Sequence, residues 1–334
     1  MPARSIHILG SAAEIPSERV PTSTIVEAER ERYEAQLGAL SPAVRARLES
    51  QLGIEAIRCH SGVPSRLASI AAARALRAAG VDAGQIDALI DCSTMAGDHP
   101  GIAALANQIQ AELGATRAVP FAVQGSGCAG LLVAMRVACS WLQDRGGPVL
   151  LFGADCVPSG SRCSLPISIM GDAASAIVLD LAPPVGRAHY VLRAVTTTTL
   201  GVHHALVHAA NHPPRIEVDA AAFEQRILPL HFVMCERVLT RALAEAERPR
   251  SSVTHVVYPN TTALDRASVG RALGFVPEQL TGPGPRDLGH AFANDLLINL
   301  PDPAVLPPSS MVAMLAVGSG FTWGAALFEV EPGQ

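Results

Sequence analysis

Cys128 stands in the string SGCAGL (Ser126–Leu131), between an apolar strand-like run, Phe121–Val123, and a helix-forming run, Ala129–Gln143. A thiol at such a junction meets unpaired backbone N–H groups and the positive end of a helix dipole, which favour thiolate over thiol. The small residues around it, Gly125, Gly127 and Gly130, keep the approach open for a bulky electrophile. The chemistry this suits is acyl transfer through a thioester, with Cys128 as nucleophile. Two other readings compete. The same string matches the dinucleotide pattern G-x-G-x-x-G, but the first acid after it is Asp144, inside a helical run rather than at the end of a second strand. A buried cysteine can also act as a small apolar residue.

A second reactive group decides between them. IDALIDCST (Ile86–Thr94) and VTHVVYPNTT (Val253–Thr262) share one pattern, each after a helix rich in alanine and arginine. QAELG ending at Gly114 parallels GRALG ending at Gly274; Cys128 lies 14 residues beyond the first glycine and His290 lies 16 beyond the second. GLLVAM follows the cysteine and DLLINL follows the histidine. This is a long-period duplication of one α/β unit. Pseudo-symmetric pairing brings the two helix starts together and sets a thiol opposite an imidazole, a nucleophile and its base. For His290 alone, a helix-start histidine satisfied by a backbone carbonyl is the bland alternative.

The elements that must hold these groups alternate between strand-like and helical runs, which indicates an α/β fold. Strands are expected at Ile6–Leu9, Ala88–Asp91, Phe121–Val123, Val149–Phe152 and Ala176–Leu181, with helices at Ser69–Ala79, Ile102–Leu113 and Ala129–Gln143. Residues 181–186 read as a linker between halves at 1–182 and 187–334. Beyond it the spacing predicts strands at Tyr190–Val195, Val253–Tyr258, Met311–Val317 and Ala325–Val330, and one long helix near Ala220–Ala246.

Composition narrows the function. A chain of 334 residues, 49% hydrophobic, has material for a large core. A net charge of −5 and no basic run argue against nucleic-acid binding, and the absence of lysine excludes lysine Schiff-base chemistry. Seven cysteines without a C-x-x-C pair argue against a disulfide framework or zinc site and fit a reducing cytoplasm. Neither a signal peptide nor a membrane span is expected. His203, His204, His208 and His212 have spacings a metal could use, but a solvated or pocket-lining role is the expectation, so neither metal nor cofactor is assigned.

Three ordered strings, SGCAGL, MGDAASAIVL (Met170–Leu179) and GSGFTWGAAL (Gly318–Leu327), carry a resemblance over nearly the whole chain. With the duplication, they make the chain similar to the thiolase-fold condensing enzymes, most closely the β-ketoacyl-acyl-carrier-protein synthase III group. The resemblance implies a five-layer αβαβα sandwich of two duplicated halves, normally a homodimer, in which the cysteine is acylated. It implies an oxyanion hole from the Cys128 backbone N–H and one from the glycine-rich turn, at Gly318 or Ser319. Such donors contribute about 3 kcal/mol each to the transition state.

This sequence departs from the family at the other two catalytic positions. The family's Pro-His-x-x-Asn histidine falls on Pro259 or Asn260, and its later asparagine falls on His290. The catalytic set is therefore expected as Cys128, His290 and Asn260. Asp295, five residues past His290, either orients the ring or faces elsewhere, and stays outside that set. Decarboxylative condensation needs two donors for an enolate, whereas acyl transfer needs a thiolate, an oxyanion hole and one base. The expected function is thus acyl transfer from Cys128 to an acceptor in fatty-acid-like or polyketide metabolism. Decarboxylative Claisen condensation and a catalytically silent subunit are the alternatives. The donor is expected to be an acyl-carrier protein or coenzyme A thioester. The segment Glu27–Arg47 offers only Tyr33 where the family stacks an aromatic on adenine, and Ser164 stands near the place of an adenine-side arginine. Both losses favour the carrier protein. Asp98 and His99 fall in a loop that, by the resemblance, approaches the partner subunit.

Overall fold

The computed structural model describes residues 4–31, 34, 50–95, 97–98, 104–165, 167–211 and 214–333. Tyr33, His99, His212 and much of the charged segment 27–47 lie outside them. The frame consists of nine strands. They are β1 (Ile6–Glu14), β2 (Ala88–Asp91), β3 (Val119–Ala122), β4 (Val149–Asp155), β5 (Ala173–Asp180), β6 (His189–Thr199), β7 (Val253–Val257), β8 (Met311–Gly318) and β9 (Thr322–Glu331). Their order is β7-β8-β9-β6-β1-β5-β4-β2-β3. The first half of the chain supplies β1-β5-β4-β2-β3 and the second supplies β6-β9-β8-β7, so the two runs match over their first four strands. The fifth place of the second half holds only a parallel bridge between Val256 and Leu280. The halves join at β1 and β6 by three antiparallel pairs, Ile6–Leu192, His7–Val191 and Ile8–Tyr190.

Six of the described helices build the layers: α1 (Pro64–Ala79), α2 (Leu105–Leu113), α3 (Gly130–Arg145), α4 (Leu228–Glu245), α5 (Ala263–Ala272) and α6 (Asn294–Ile298). Strand periodicity sorts the apolar side chains. On β4, Leu150 and Phe152 pack outward with Ala71 and Ala75 of α1 and Ile109 of α2. Val149 and Leu151 of the same strand face inward onto Leu131 and Met135 of α3. On β8, Val312 and Met314 point to that same central layer, while Ala313 and Leu315 pack with Val238 and Leu239 of α4. The result is the five-layer αβαβα sandwich expected from the resemblance. Its central layer is α3 and α6, the two helices that follow Cys128 and His290.

Local signals explain where these helices begin and end. Pro64 occupies the first helical position of α1, where a missing N–H costs nothing, and Gly80 closes the helix at φ 67°. The carboxylate of Asp98 reaches in from the stretch after β2 to accept the Ser65 N–H at 3.0 Å. The long helix expected near Ala220–Ala246 is instead two, Ala220–Arg226 and α4. Pro229 forces the break: it fits the first turn of a new helix but not the interior of a continuous one.

Candidate active site

Cys128 sits in a single 3₁₀ turn, Gly127–Ala129, which leads directly into α3. The thiol is half-buried and borders a cavity of about 420 Å³. The glycine-rich turn after β8 locks against this turn, backbone to backbone. A Cβ on Gly318 would stand 2.7 Å from the Ala129 nitrogen and 2.8 Å from that of Cys128, and one on Gly127 would stand 2.7 Å from the Ser319 nitrogen. Only residues without a side chain allow that approach, which explains the small residues of both strings.

His290 faces the thiol from the other half. Its Nε2 lies 3.1 Å from Cys128 Sγ, and the residue is fully buried. The backbone of His290 is pinned to the first half: its N–H donates to Ile169 O at 2.9 Å, and its carbonyl accepts the Gly171 N–H at 3.0 Å. The MGD string makes this seam. Any Cβ on Gly171 would collide with the Leu288 carbonyl oxygen. Asp172 accepts the His60 N–H at 2.7 Å, the Val157 N–H at 2.8 Å and a two-pronged contact from the Arg162 guanidinium.

The ring's other nitrogen completes a relay. His290 Nδ1 lies 2.5 Å from Asp295 Oδ2, and the carboxyl group is fully buried. Asp295 also accepts the Ala291 N–H at 3.0 Å and the Asn260 N–H at 2.8 Å. With Nδ1–H donated to Asp295, Nε2 presents its lone pair to the thiol. Burial works against the charged imidazole, but the Cys128 thiolate and the Asp295 carboxylate outweigh it and hold its pKa well above the ordinary value. A thiol, an imidazole and a carboxylate thus stand in one line.

No protein-family model matches the chain. It is 30% identical over 277 residues to the β-ketoacyl-[acyl-carrier-protein] synthase III of Erythrobacter litoralis, which covers 79% of this chain and 83% of that one. The chain belongs to the β-ketoacyl-[acyl-carrier-protein] synthase III family. It is accordingly an enzyme of that acyl-transferring group. Among solved structures, the acyltransferase ChlB3 superposes with a TM-score of 0.80 at 23% identity, covering 98% of each chain. The 3-oxoacyl-[acyl-carrier-protein] synthase III of Aquifex aeolicus superposes with a TM-score of 0.79 at 20% identity, covering 97% of this chain and 99% of that one. These two likenesses speak to the shared fold.

Within this synthase III chain, Asn260 does not take the place expected of it. It is fully buried and does not line the cavity. Its Nδ2 donates to Asp295 Oδ1 at 3.3 Å, and its Oδ1 accepts from Asn299 Nδ2 at 2.8 Å. The end of β7 turns the side chain toward the Asp295 carboxylate behind His290 rather than toward the thiol. Asp295 is the residue that sequence reasoning left out. Five positions along a continuous helix diverge by roughly 140°, but the chain turns at Phe292, φ 56°, and α6 begins only at Asn294. That turn folds Asp295 back onto the ring.

The remaining candidates separate cleanly. Arg162, which precedes the Gly-Asp turn, is drawn inward to Asp172 and is unavailable to a nucleotide. His204 and His208 line the cavity, and His208 lies 3.4 Å from Glu217. Among the described residues, the only three potential ligand atoms that come together are those of His7, His189 and Glu331, on β1, β6 and β9. No helix of the described residues is long and apolar enough to cross a membrane.

Proposed function

We propose that this synthase III chain is an acyltransferase that loads an acyl group onto Cys128 and passes it to an acceptor, in fatty-acid-like or polyketide metabolism. The observation that carries the reading is the line Cys128–His290–Asp295, with contacts of 3.1 and 2.5 Å. Cys128 Sγ attacks the donor's thioester carbonyl. The tetrahedral oxyanion is held by the backbone N–H of Cys128 and one from the glycine-rich turn, for which Gly318 and Ser319 are the candidates. The donor thiol departs with the proton from His290, leaving an acyl-cysteine. His290 then takes the acceptor's proton as the acceptor attacks, and the Cys128 thiolate is released.

The names of the curated relatives also support a condensing reaction that joins carbon to carbon. Against its decarboxylative form stands Asn260, whose amide is spent on Asp295 and so is not presented to an enolate. Against a silent subunit stands the complete relay. The donor is a thioester of an acyl-carrier protein or of coenzyme A, and the inward turn of Arg162 favours the carrier. The chain is read as two thiolase-like halves, 1–182 and 187–334, each giving one helix-leading turn to the site. The seven cysteines, without a C-x-x-C pair, suit a reducing cytoplasm.

Intact-mass spectrometry of the protein with acyl-carrier and acyl-coenzyme A donors tests the reading. A single acyl adduct is expected on the native protein and none on Cys128→Ala; an adduct surviving in the variant overturns the assignment. We also propose a homodimer through β3, whose outer edge ends the sheet and exposes Val119 by 48%. Light scattering should give twice the chain mass, and a stable monomer at micromolar concentration contradicts it.

A further inference from the structure

The same cavity holds a second polar group that the acyl-transfer relay does not use. Asp265, in the first turn of α5, lines the wall together with His231 of α4 and Thr261. Its Oδ2 accepts the Tyr258 O–H at 3.0 Å and the Thr261 O–H at 2.6 Å. Because the Tyr258 proton is spent on Asp265, the 3.0 Å contact between His231 Nε2 and the Tyr258 oxygen has the imidazole N–H as donor. The same Nε2 lies 3.3 Å from Asp265 Oδ1 and is thus shared between two acceptors. A carboxylate offers about four lone-pair positions. Two on Oδ2 are filled, and among the described residues Oδ1 has only that shared, longer contact. The side chain stays 25% exposed, while its neighbour His231 is 6% exposed.

The surroundings make this unusual. The described wall is built mainly of apolar residues such as Met95, Ile167, Met170 and Phe223; it contains no arginine, and its basic side chains are His204, His208, His231 and His290, of which only His231 contacts Asp265. The sequence has no lysine to supply a cation. Burial opposes the ionised form of Asp265, but contacts with His231, Thr261 and Tyr258 outweigh it and hold the carboxyl below its usual range. An anion with an open acceptor position therefore faces a low-dielectric space, where a donor is bound and a second anion is repelled.

We infer that Asp265 is a specificity residue: its Oδ1 takes a hydroxyl or ammonium group of the acyl acceptor, distinct from the atom that attacks, and disfavours carboxylate-bearing acceptors. The assignment rests on the acyltransferase reading for the word acceptor, but not for the existence of the subsite. It makes the preferred acceptor an amino alcohol or polyol rather than a malonyl-type extender. During transfer the group at Asp265 stays intact. The acceptor's other hydroxyl loses its proton to His290 Nε2, its oxygen bonds to the acyl carbon, and the C–S bond to Cys128 breaks.

Binding to the full-length Cys128→Ala protein reads the subsite without chemistry. Ligand-observed NMR would rank chain-matched amino alcohols, plain alcohols and hydroxy acids on that protein. The expected order is amino alcohol, then alcohol, then hydroxy acid, with about tenfold between the first two for one charge-assisted hydrogen bond. Adding Asp265→Asn, with folding checked by circular dichroism, should erase the order by weakening the amino alcohol and strengthening the hydroxy acid. A merely structural role for Asp265 would weaken all three alike and overturns the inference. So does equal affinity for the three probes on the Cys128→Ala protein, a result that needs no Asp265 variant. If acyl loading of the native protein fails while the order holds, the acyltransferase reading falls and the subsite stands.

Discussion

The turns that carry Cys128 and His290 occupy equivalent places in the two halves and are built to opposite ends. Before Cys128 runs a full edge strand, β3, and after it a helix of 16 residues. Before His290 the strand shrinks to the Val256–Leu280 bridge, and the helix after it has 5 residues. The thiol is left half-buried against an open cavity, whereas the imidazole has no exposed surface. A nucleophile needs access and a long helix at its back. A base needs a fixed tautomer, and a short, kinked start to α6 allows a carboxylate to fold back behind the ring. The second half has given up regular structure where the first has kept it.

Breaking the buried side of this pair should cost most. His290→Ala should slow acyl transfer by roughly 10²–10⁴-fold, the range for a lost general base, with the fold retained. Single-turnover kinetics check it, and a rate equal to the native one would remove the histidine from the chemistry.

Asp295→Asn should cost less, about 10²-fold, because the imidazole remains and only its orientation and charge support are lost. It should also show in titration. The His290 pKa is raised in the folded protein, with burial opposing and the Cys128 thiolate and Asp295 favouring the charge. The stability this gives is fully present below the unfolded value of about 6.5 and is lost as pH rises through the folded one. The variant should therefore bring the imidazole's ¹⁵N titration down, and its loss of stability should be larger in acid than in alkali. An unchanged His290 titration would show that Asp295 does not support the charge.

Asn260→Ala sharpens the comparison with the smallest effect. A residue that acts only through Asp295 should lower the rate by about tenfold, on the scale of one neutral hydrogen bond, without altering carbon dioxide release from a malonyl carrier protein. Release that collapses in this variant would put the amide back at the thiol.

Cys128, His290 and the Gly318–Ser319 turn were legible because each lies within a short string whose glycines are demanded by backbone contact. The layers followed from period-two apolar runs such as β4 and β8. Asp295 was not legible, because its partnership depends on the turn at Phe292, and nothing in AFAND (Ala291–Asp295) announces a positive φ there. Asn260 was placed correctly along the chain but not in direction, since one strand end can aim a side chain at either wall. The group around Asp265 left no signal at all. His231, Tyr258 and Asp265 come from three elements, and His231 sits among apolar residues in LPLHFVM (Leu228–Met234) with no marked spacing.

The seam between β1 and β6 also governs how the chain can be made. Among the described residues β1 pairs only with β5 and β6, both made well after it, where Glu14 pairs with Ala174 and Ile6 with Leu192. At synthesis rates of about 5–20 residues per second, on the order of ten seconds or more pass before either neighbour exists. Throughout that interval the apolar run Ile6–Leu9 has no native pairing partner. Biogenesis of this fold therefore passes through a stage in which β1 stands unpaired, and a window of vulnerability to aggregation lies in that strand, far in sequence from the histidine.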